Sequence, residues 1–223
     1  MKDLDLFKPL NESEKELVTT LAIAKSFHKG EPVFLENEPA DTIYLIKSGK
    51  ILLYKLSEDG KEIALDILHE NDIFGENTLF EDANHTMNAK AMENTFVCTC
   101  SRRDLPELLK NPAISFKIIK VLGDKLNNYT EQMAMMAFQD VKGRILKTMI
   151  RLSKDYGEQT SKGIKINVPL NHQDIANLVN ASRVMVTNSL KDLREEELLM
   201  VDQRQFYLLD QSLPKKSDTY SLK

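Results

Sequence analysis

The sequence predicts an α+β chain: an N-terminal β-roll of jelly-roll type, then a long helix, then a C-terminal winged helix-turn-helix. Three observations carry that reading. Residues 27 to 101 alternate short β-type runs with turn residues. From Asn111 the apolar period becomes that of a helix and holds for more than two heptads. Residues 170 to 193 hold two short helix patterns separated by a tight turn. The expected divisions are 1–110 for the roll, 111–137 for the long helix and 138–223 for the winged helix-turn-helix.

An opening helix is expected around Glu12 to Ala24. The first clear strands are Thr42 to Lys47 and Lys50 to Leu56, separated by Ser48-Gly49. Glu58-Asp59-Gly60-Lys61 is a hairpin signal because Asp-Gly accommodates positive φ, and Glu62 to Leu68 runs back from it. Many short strands at this spacing argue for a barrel or jelly roll. Cys98 and Cys100 lie two apart in an apolar run, so on a strand they share a face with Cα atoms about 6.5 Å apart. That spacing disfavours a mutual disulfide, and buried structural thiols are expected. No Cys/His spacing matches a structural zinc site, and no metal is assigned.

Ile119, Leu122, Leu126, Tyr129, Met133 and Met136 are separated alternately by three and four residues, a heptad seam that needs a partner surface. A second copy of the chain is the expected partner, and the β domain is the other surface such a stripe could cover. Pro112 suits the first turn of this helix. Gln139-Asp140-Val141-Lys142-Gly143 reads as a hinge, with Asp140 capping a new helix through Arg151.

In the helix-turn-helix, Ile175, Ala176, Leu178 and Val179 give one apolar stripe and Val186, Leu190 and Leu193 give another. Asn180 tolerates a left-handed backbone at the turn, and Ser182 caps the second helix. Ser182, Arg183, Val184, Thr187, Asn188 and Lys191 are left facing outward. Such a row, with a long Arg near the helix start, is what a recognition helix needs to reach base edges in a major groove. Asn171, His172 and Gln173 open the first helix, where they either cap it or meet phosphates, as Lys191 would. Leu198 to Val201 and Phe206 to Leu209 flank Asp202 to Gln205 as a β-hairpin wing, and a frayed tail is expected from Gln211.

The chain has 223 residues, 42% of them hydrophobic, which suits one large or two modest globular domains. No apolar run approaches the ~18 residues of a membrane span, and the start Met1-Lys-Asp-Leu-Asp lacks a secretion signal, so a cytoplasmic location without membrane contact is expected. The net charge of −4 is not that of a non-specific nucleic-acid binder. DNA contact is therefore expected from a local patch: Arg183, Lys191 and Arg194, with Lys142, Arg144 and Lys147 upstream. An enzyme of cupin type would group histidines and a glutamate on neighbouring strands. Here His69 and His85 are isolated and His28 and His172 remote, so no catalytic residue is assigned.

The order of elements resembles the Crp/Fnr family of bacterial transcription regulators across nearly the whole chain. Tyr44-Leu-Ile-Lys-Ser-Gly-Lys50, Phe74-Gly75-Glu76, Phe138-Gln-Asp-Val-Lys-Gly-Arg144 and Ser182-Arg183 are similar to its characteristic segments. The resemblance implies a homodimer that binds double-stranded DNA at an inverted repeat, and a contact with RNA polymerase if the protein activates. It also implies an effector pocket near Phe74, Gly75, Glu76, Asn77, Thr86, Met87, Tyr129 and Thr130. In cyclic-AMP-binding members the cassette's glutamate holds the ribose hydroxyl and a later arginine pairs with the cyclic phosphate. Here the downstream positions read His85-Thr86-Met87 and the arginine is missing. An unpaired buried phosphate is costly, so an unidentified small effector other than cyclic AMP is expected. Effector-independent regulation and a cyclic-nucleotide response without that arginine are the alternatives. No cysteine precedes Cys98 to hold an iron–sulfur centre, and no histidine, cysteine or methionine is singled out as a haem ligand, so the cofactor is unknown. By resemblance Arg183 pairs with a guanine, Val184 stands where a glutamate is usual and Asn188 where a second arginine often sits. A half-site that keeps one guanine and is otherwise more A·T-rich than the family's usual sequences is expected.

Overall fold

The computed structural model describes residues 20–80, 83–203 and 205–209. The chain divides into two compact units, Met1–Tyr129 and Thr130–Lys223.

The first unit is built on two four-stranded antiparallel sheets. One has the order β1 (Ile23–Phe27), β8 (Thr95–Ser101), β3 (Thr42–Ser48), β6 (Ile73–Phe74). The other runs β2 (Pro32–Phe34), β7 (Asn88–Ala91), β4 (Ile51–Leu56), β5 (Glu62–Leu68). The Asp59-Gly60 hairpin forms as its sequence requires, with Gly60 at φ 78°. Side chains alternate along β3. Tyr44 and Ile46 join Phe34, Ile51, Leu53, Phe74 and Val97 in a core drawn from both sheets. Ile43 and Leu45 point the other way, onto Ile73, Cys98 and Cys100. Helix α1 (Leu105–Leu109) and the start of helix α2 (Pro112–Phe138) cover that second face through Leu105, Leu108, Ile114 and Ile118. Burial on both faces explains why β3 reads as a continuous apolar run rather than an alternating one.

Helix α2 begins as expected: Pro112 occupies its first position, and the Asn111 side chain accepts hydrogen bonds from the Ala113 and Ile114 amides. The opening helix needs correction at its end. Thr20 and Leu21 are helical, but Ile23 and Ala24 belong to β1, where Ala24 pairs with Cys98. Residues 12 to 19 of that helix lie outside the described residues, as does the tail from Gln211.

In the second unit Asp140 caps helix α3 (Val141–Tyr156), its carboxylate accepting from the Gly143 amide at 2.7 Å. The helix runs five residues beyond the expected Arg151, because Leu152, Ser153 and Tyr156 continue its buried face. Two strands follow that the sequence reading did not anticipate, β9 (Gly157–Thr160) and β10 (Gly163–Ile166). They join the expected wing, β11 (Leu199–Asp202) and β12 (Gln205–Leu208), in one sheet of order β11-β12-β10-β9. Helices α4 (His172–Leu178) and α5 (Arg183–Glu195) complete the unit, with α5 packed on α3 and α4. Ile145, Met149, Ile175, Val186, Leu193 and Leu208 are each fully buried.

Candidate nucleic-acid interface and ligand pocket

The helix-turn-helix is fixed by local hydrogen bonds before any packing is considered. Asn171 caps α4, accepting from the Gln173 and Asp174 amides at 2.7 and 3.0 Å, while Asp174 accepts from the Asn171 amide at 2.7 Å. Asn180 takes the left-handed conformation at φ 46°, and the Ala181 amide bonds back to the Ala176 carbonyl at 3.0 Å. Ser182 then caps α5, accepting from the Met185 amide at 3.2 Å. Val186, Leu190 and Leu193 turn inward. Ser182, Arg183, Val184, Thr187, Asn188 and Lys191 are all exposed, forming a continuous outward row.

Besides the capping Ser182, two members of that row are already engaged. The Thr187 hydroxyl donates to the Arg183 carbonyl at 2.9 Å and lies 3.0 Å from His172 Nδ1. A hydroxyl has one proton to give, so His172 must donate through Nδ1, which ties the start of α4 to the outward face of α5. Lys191 lies 3.6 Å from Glu195, one turn on, with both side chains well exposed. Gln173 donates to Asn177 at 2.9 Å. Met185, which sequence reasoning passed over, is 49% exposed beside Val184 at 70%. It adds a flexible apolar contact to the same surface.

The upstream basic residues are placed differently. The Lys142 ammonium pairs with Glu196 at 2.7 Å, which raises its pKa. Arg144 is bonded to two main-chain carbonyls. Lys147 remains on the surface.

In the first unit a concavity is lined by Phe34, Leu53, Gly75, Glu76, Asn77, His85, Thr86 and Met87. Gly75 has φ 79°, and a Cβ there would stand 2.7 Å from the Thr42 carbonyl, so this position accepts glycine alone. That conformation launches the 3-10 turn Glu76–Leu79 and aims Glu76 at helix α2. Phe74 is fully buried and stacks on Tyr44 with ring centroids 4.8 Å apart, so it belongs to the core behind the concavity rather than to its wall. His85 stacks on Phe34 at 3.6 Å, nearly parallel, and burial lowers its pKa against the pull of Glu38, Asp41 and Glu76. Asn77 donates to the Asn84 carbonyl at 2.8 Å and reaches Thr86 at 3.5 Å.

Glu76 faces a partner that the sequence did not reveal. Lys125 of α2 is 9% exposed, and its ammonium lies 2.8 Å from the Glu76 carboxylate. One turn further on, the Tyr129 hydroxyl is buried with no hydrogen-bond partner among the described residues. Burial, aided by the carboxylates of Asp66 and Glu76, pushes its pKa up. Thr130 is exposed and lies in the second unit.

Along the expected seam, Ile119, Leu126, Met133 and Met136 are 64%, 67%, 72% and 43% exposed. Phe116, at 72%, extends the apolar row one turn earlier, and Leu122 instead packs on the core beneath β8. No described helix is long and apolar enough to cross a membrane, and no cluster of three or more metal-binding side chains occurs among the described residues.

A sequence model of the cyclic nucleotide-binding domain matches residues 24–111, and one of the Crp-like helix-turn-helix domain matches residues 143–212. An anaerobic regulatory protein of Bacillus subtilis is 34% identical over 190 residues, covering 84% of this chain and 80% of that protein. The chain belongs to the Crp/Fnr family. It is a DNA-binding transcription regulator, and the relatives it matches are regulators rather than enzymes. A CRP-like cAMP-activated global transcriptional regulator of Mycobacterium tuberculosis is 28% identical over 206 residues, 92% of each chain. Among solved structures, a CooA mutant from Carboxydothermus hydrogenoformans superposes with TM-score 0.77 at 27% identity, covering 93% of both chains. The c-di-GMP responsive regulator CLP of Xanthomonas campestris, at 23% identity, shares the fold with TM-score 0.77 over 89% of this chain and 99% of its own. In this Crp/Fnr chain the concavity beside Glu76 has no arginine or lysine among its described walls, and Lys125 nearby is already paired.

Proposed function

We propose that this regulator acts as a cytoplasmic homodimer on an inverted repeat, with one α5 helix in each of two successive major grooves. The exposed row on α5 carries the reading. Arg183 supplies a fork for guanine O6 and N7, Val184 an apolar contact for a thymine methyl and Asn188 an amide for adenine, with Ser182 and Thr187 beside them. His172, Gln173 and Asn171 beside the row, and Lys191 within it, stand at positions suited to phosphates, which orient the protein without reading sequence. The apolar stripe on α2 supports the dimer. Contiguous exposed apolar surface of this kind marks an interface, and two copies set the recognition helices about 34 Å apart. Enrichment of duplexes from a random library by the purified protein tests this. An inverted repeat whose half-sites hold one guanine in A·T-rich surroundings supports it, and recovery of no preferred sequence overturns it.

The regulating ligand on this reading is a small molecule other than cyclic AMP, held beside Gly75, Glu76, Asn77, Thr86 and Met87 with Tyr129 nearby. That no arginine or lysine stands among its described walls argues against tight binding of a cyclic phosphate. Calorimetric titration with cyclic AMP is expected to give no heat in the micromolar range, and a saturable isotherm there would overturn the exclusion. If the protein activates, RNA polymerase is a further partner. One observation favours a second reading, in which no effector is needed. Lys125 already supplies the Glu76 carboxylate with a partner from the long helix, linking roll and helix without a ligand.

A further inference from the structure

Arg144 has the means to link the hinge to the DNA reader. It stands in the first turn of α3, and its guanidinium splits between two main-chain carbonyls: Nε donates to Val179 at 2.9 Å and Nη1 to Gln139 at 3.0 Å. Both acceptors lie at helix ends. Gln139 follows the last residue of α2, and Val179 is the C-terminal cap of α4. Carbonyls there lack intrahelical partners and carry the negative end of the helix dipole, so a cationic donor satisfies both needs together. A planar fork holds two acceptors in a fixed relation, which a flexible ammonium does not.

The position of the second bond gives it consequence. Val179 immediately precedes Asn180, the left-handed residue that starts the turn, and Ser182 caps the recognition helix three positions later. Displacing Gln139 therefore pulls through Arg144 on the segment that sets where Arg183 begins. Lys142 adds a second tie from the same helix turn to Glu196, at the other end of α5.

We propose that Arg144 is a positioning residue, not a phosphate contact: it transmits the setting of the Gln139-Asp140 hinge to the turn that aims α5. The inference rests on α5 being the element that reads DNA. The test uses full-length wild type, Arg144→Lys and Arg183→Ala against two duplexes, one selected by the wild type from a random library and one of random sequence, across a salt series. Arg144→Lys is expected to weaken the selected duplex about tenfold, the equivalent of one charge-assisted hydrogen bond. Affinity for the random duplex should stay within about twofold and the salt slope should match wild type, because no phosphate contact is lost. If both duplexes weaken alike and the slope falls by about 0.9, Arg144 meets a phosphate and the proposal is overturned. It is also overturned if Arg183→Ala loses the selected duplex while Arg144→Lys binds as wild type. If Arg183→Ala binds as wild type, the assignment of α5 falls and the proposal falls with it. A measurement on the wild type alone guards against a variant that does not fold. The Arg144 Nε–H resonance should exchange slowly with water and keep its shift on adding the random duplex. Exchange as fast as that of a free arginine would refute the bond to Val179.

Discussion

Removing one member of the Glu76–Lys125 pair should cost more than removing both. At 2.8 Å the gross attraction is about 6 kcal/mol at an effective dielectric of about 20 and about 1.5 kcal/mol in bulk water. The side chains are 21% and 10% exposed, which places the pair between those limits, and desolvation of both ions takes back much of the gain. The coupling in a double-mutant cycle should therefore fall between about 2 and 6 kcal/mol. Glu76→Gln leaves the better-buried Lys125 ammonium without its carboxylate and should destabilise by about 2–4 kcal/mol. Lys125→Met leaves a carboxylate with more access to water and should cost about 1–3 kcal/mol. The double variant should return to within about 1 kcal/mol of wild type, because neither charge is then stranded. The chain has no tryptophan, so urea unfolding is best followed by far-UV circular dichroism, at one protein concentration because association contributes to stability. Additive single effects, with a coupling below about 0.5 kcal/mol, would show that the pair behaves like a surface ion pair and links nothing.

Leu126→Glu places a charge in an exposed part of the apolar stripe, so the fold should survive while sedimentation shows a single copy and affinity for an inverted repeat collapses; an unchanged dimer would remove the stripe from the interface. Ser182→Ala deletes the cap of α5 and should lower stability by about 1 kcal/mol, read as a shift in urea midpoint, with no shift counting against the capping bond. Burial holds His85 below its ordinary value of 6.5, so the unfolded chain binds more protons there. That contribution is complete above pH 6.5 and is lost as the pH falls through the lowered folded value. His85→Gln should therefore flatten the acid limb of the stability profile relative to wild type, and parallel profiles would contradict the assignment.

Sequence reasoning succeeded where the signal is local. The capping residues Asn171, Ser182 and Asp140, the left-handed Asn180 and the 3.6-residue stripes of α4 and α5 each announce themselves within a turn or two of chain. It failed where stability is borrowed from afar. β1 is almost wholly exposed, so Ile23 and Ala24 show no alternation, and the strand exists because β8 hydrogen-bonds to it. β9 has the polar sequence Gly-Glu-Gln-Thr, four residues without an apolar period, and is ordered by β10. The Glu76 cassette was legible as a motif, but its partner Lys125 lies 49 positions away on a helix where the reading followed apolar spacing alone. Arg144 looked like part of a basic patch, because composition reports its charge and not the two carbonyls that already hold it.

The sulfurs of Cys98 and Cys100 sit among aliphatic side chains, and burial raises both thiols, Cys100 to about 11. An oxidant or alkylating dye needs the thiolate, and the folded roll withholds it. Labelling of this regulator would therefore proceed only as fast as its first unit breathes open, making the pair a clock for local unfolding.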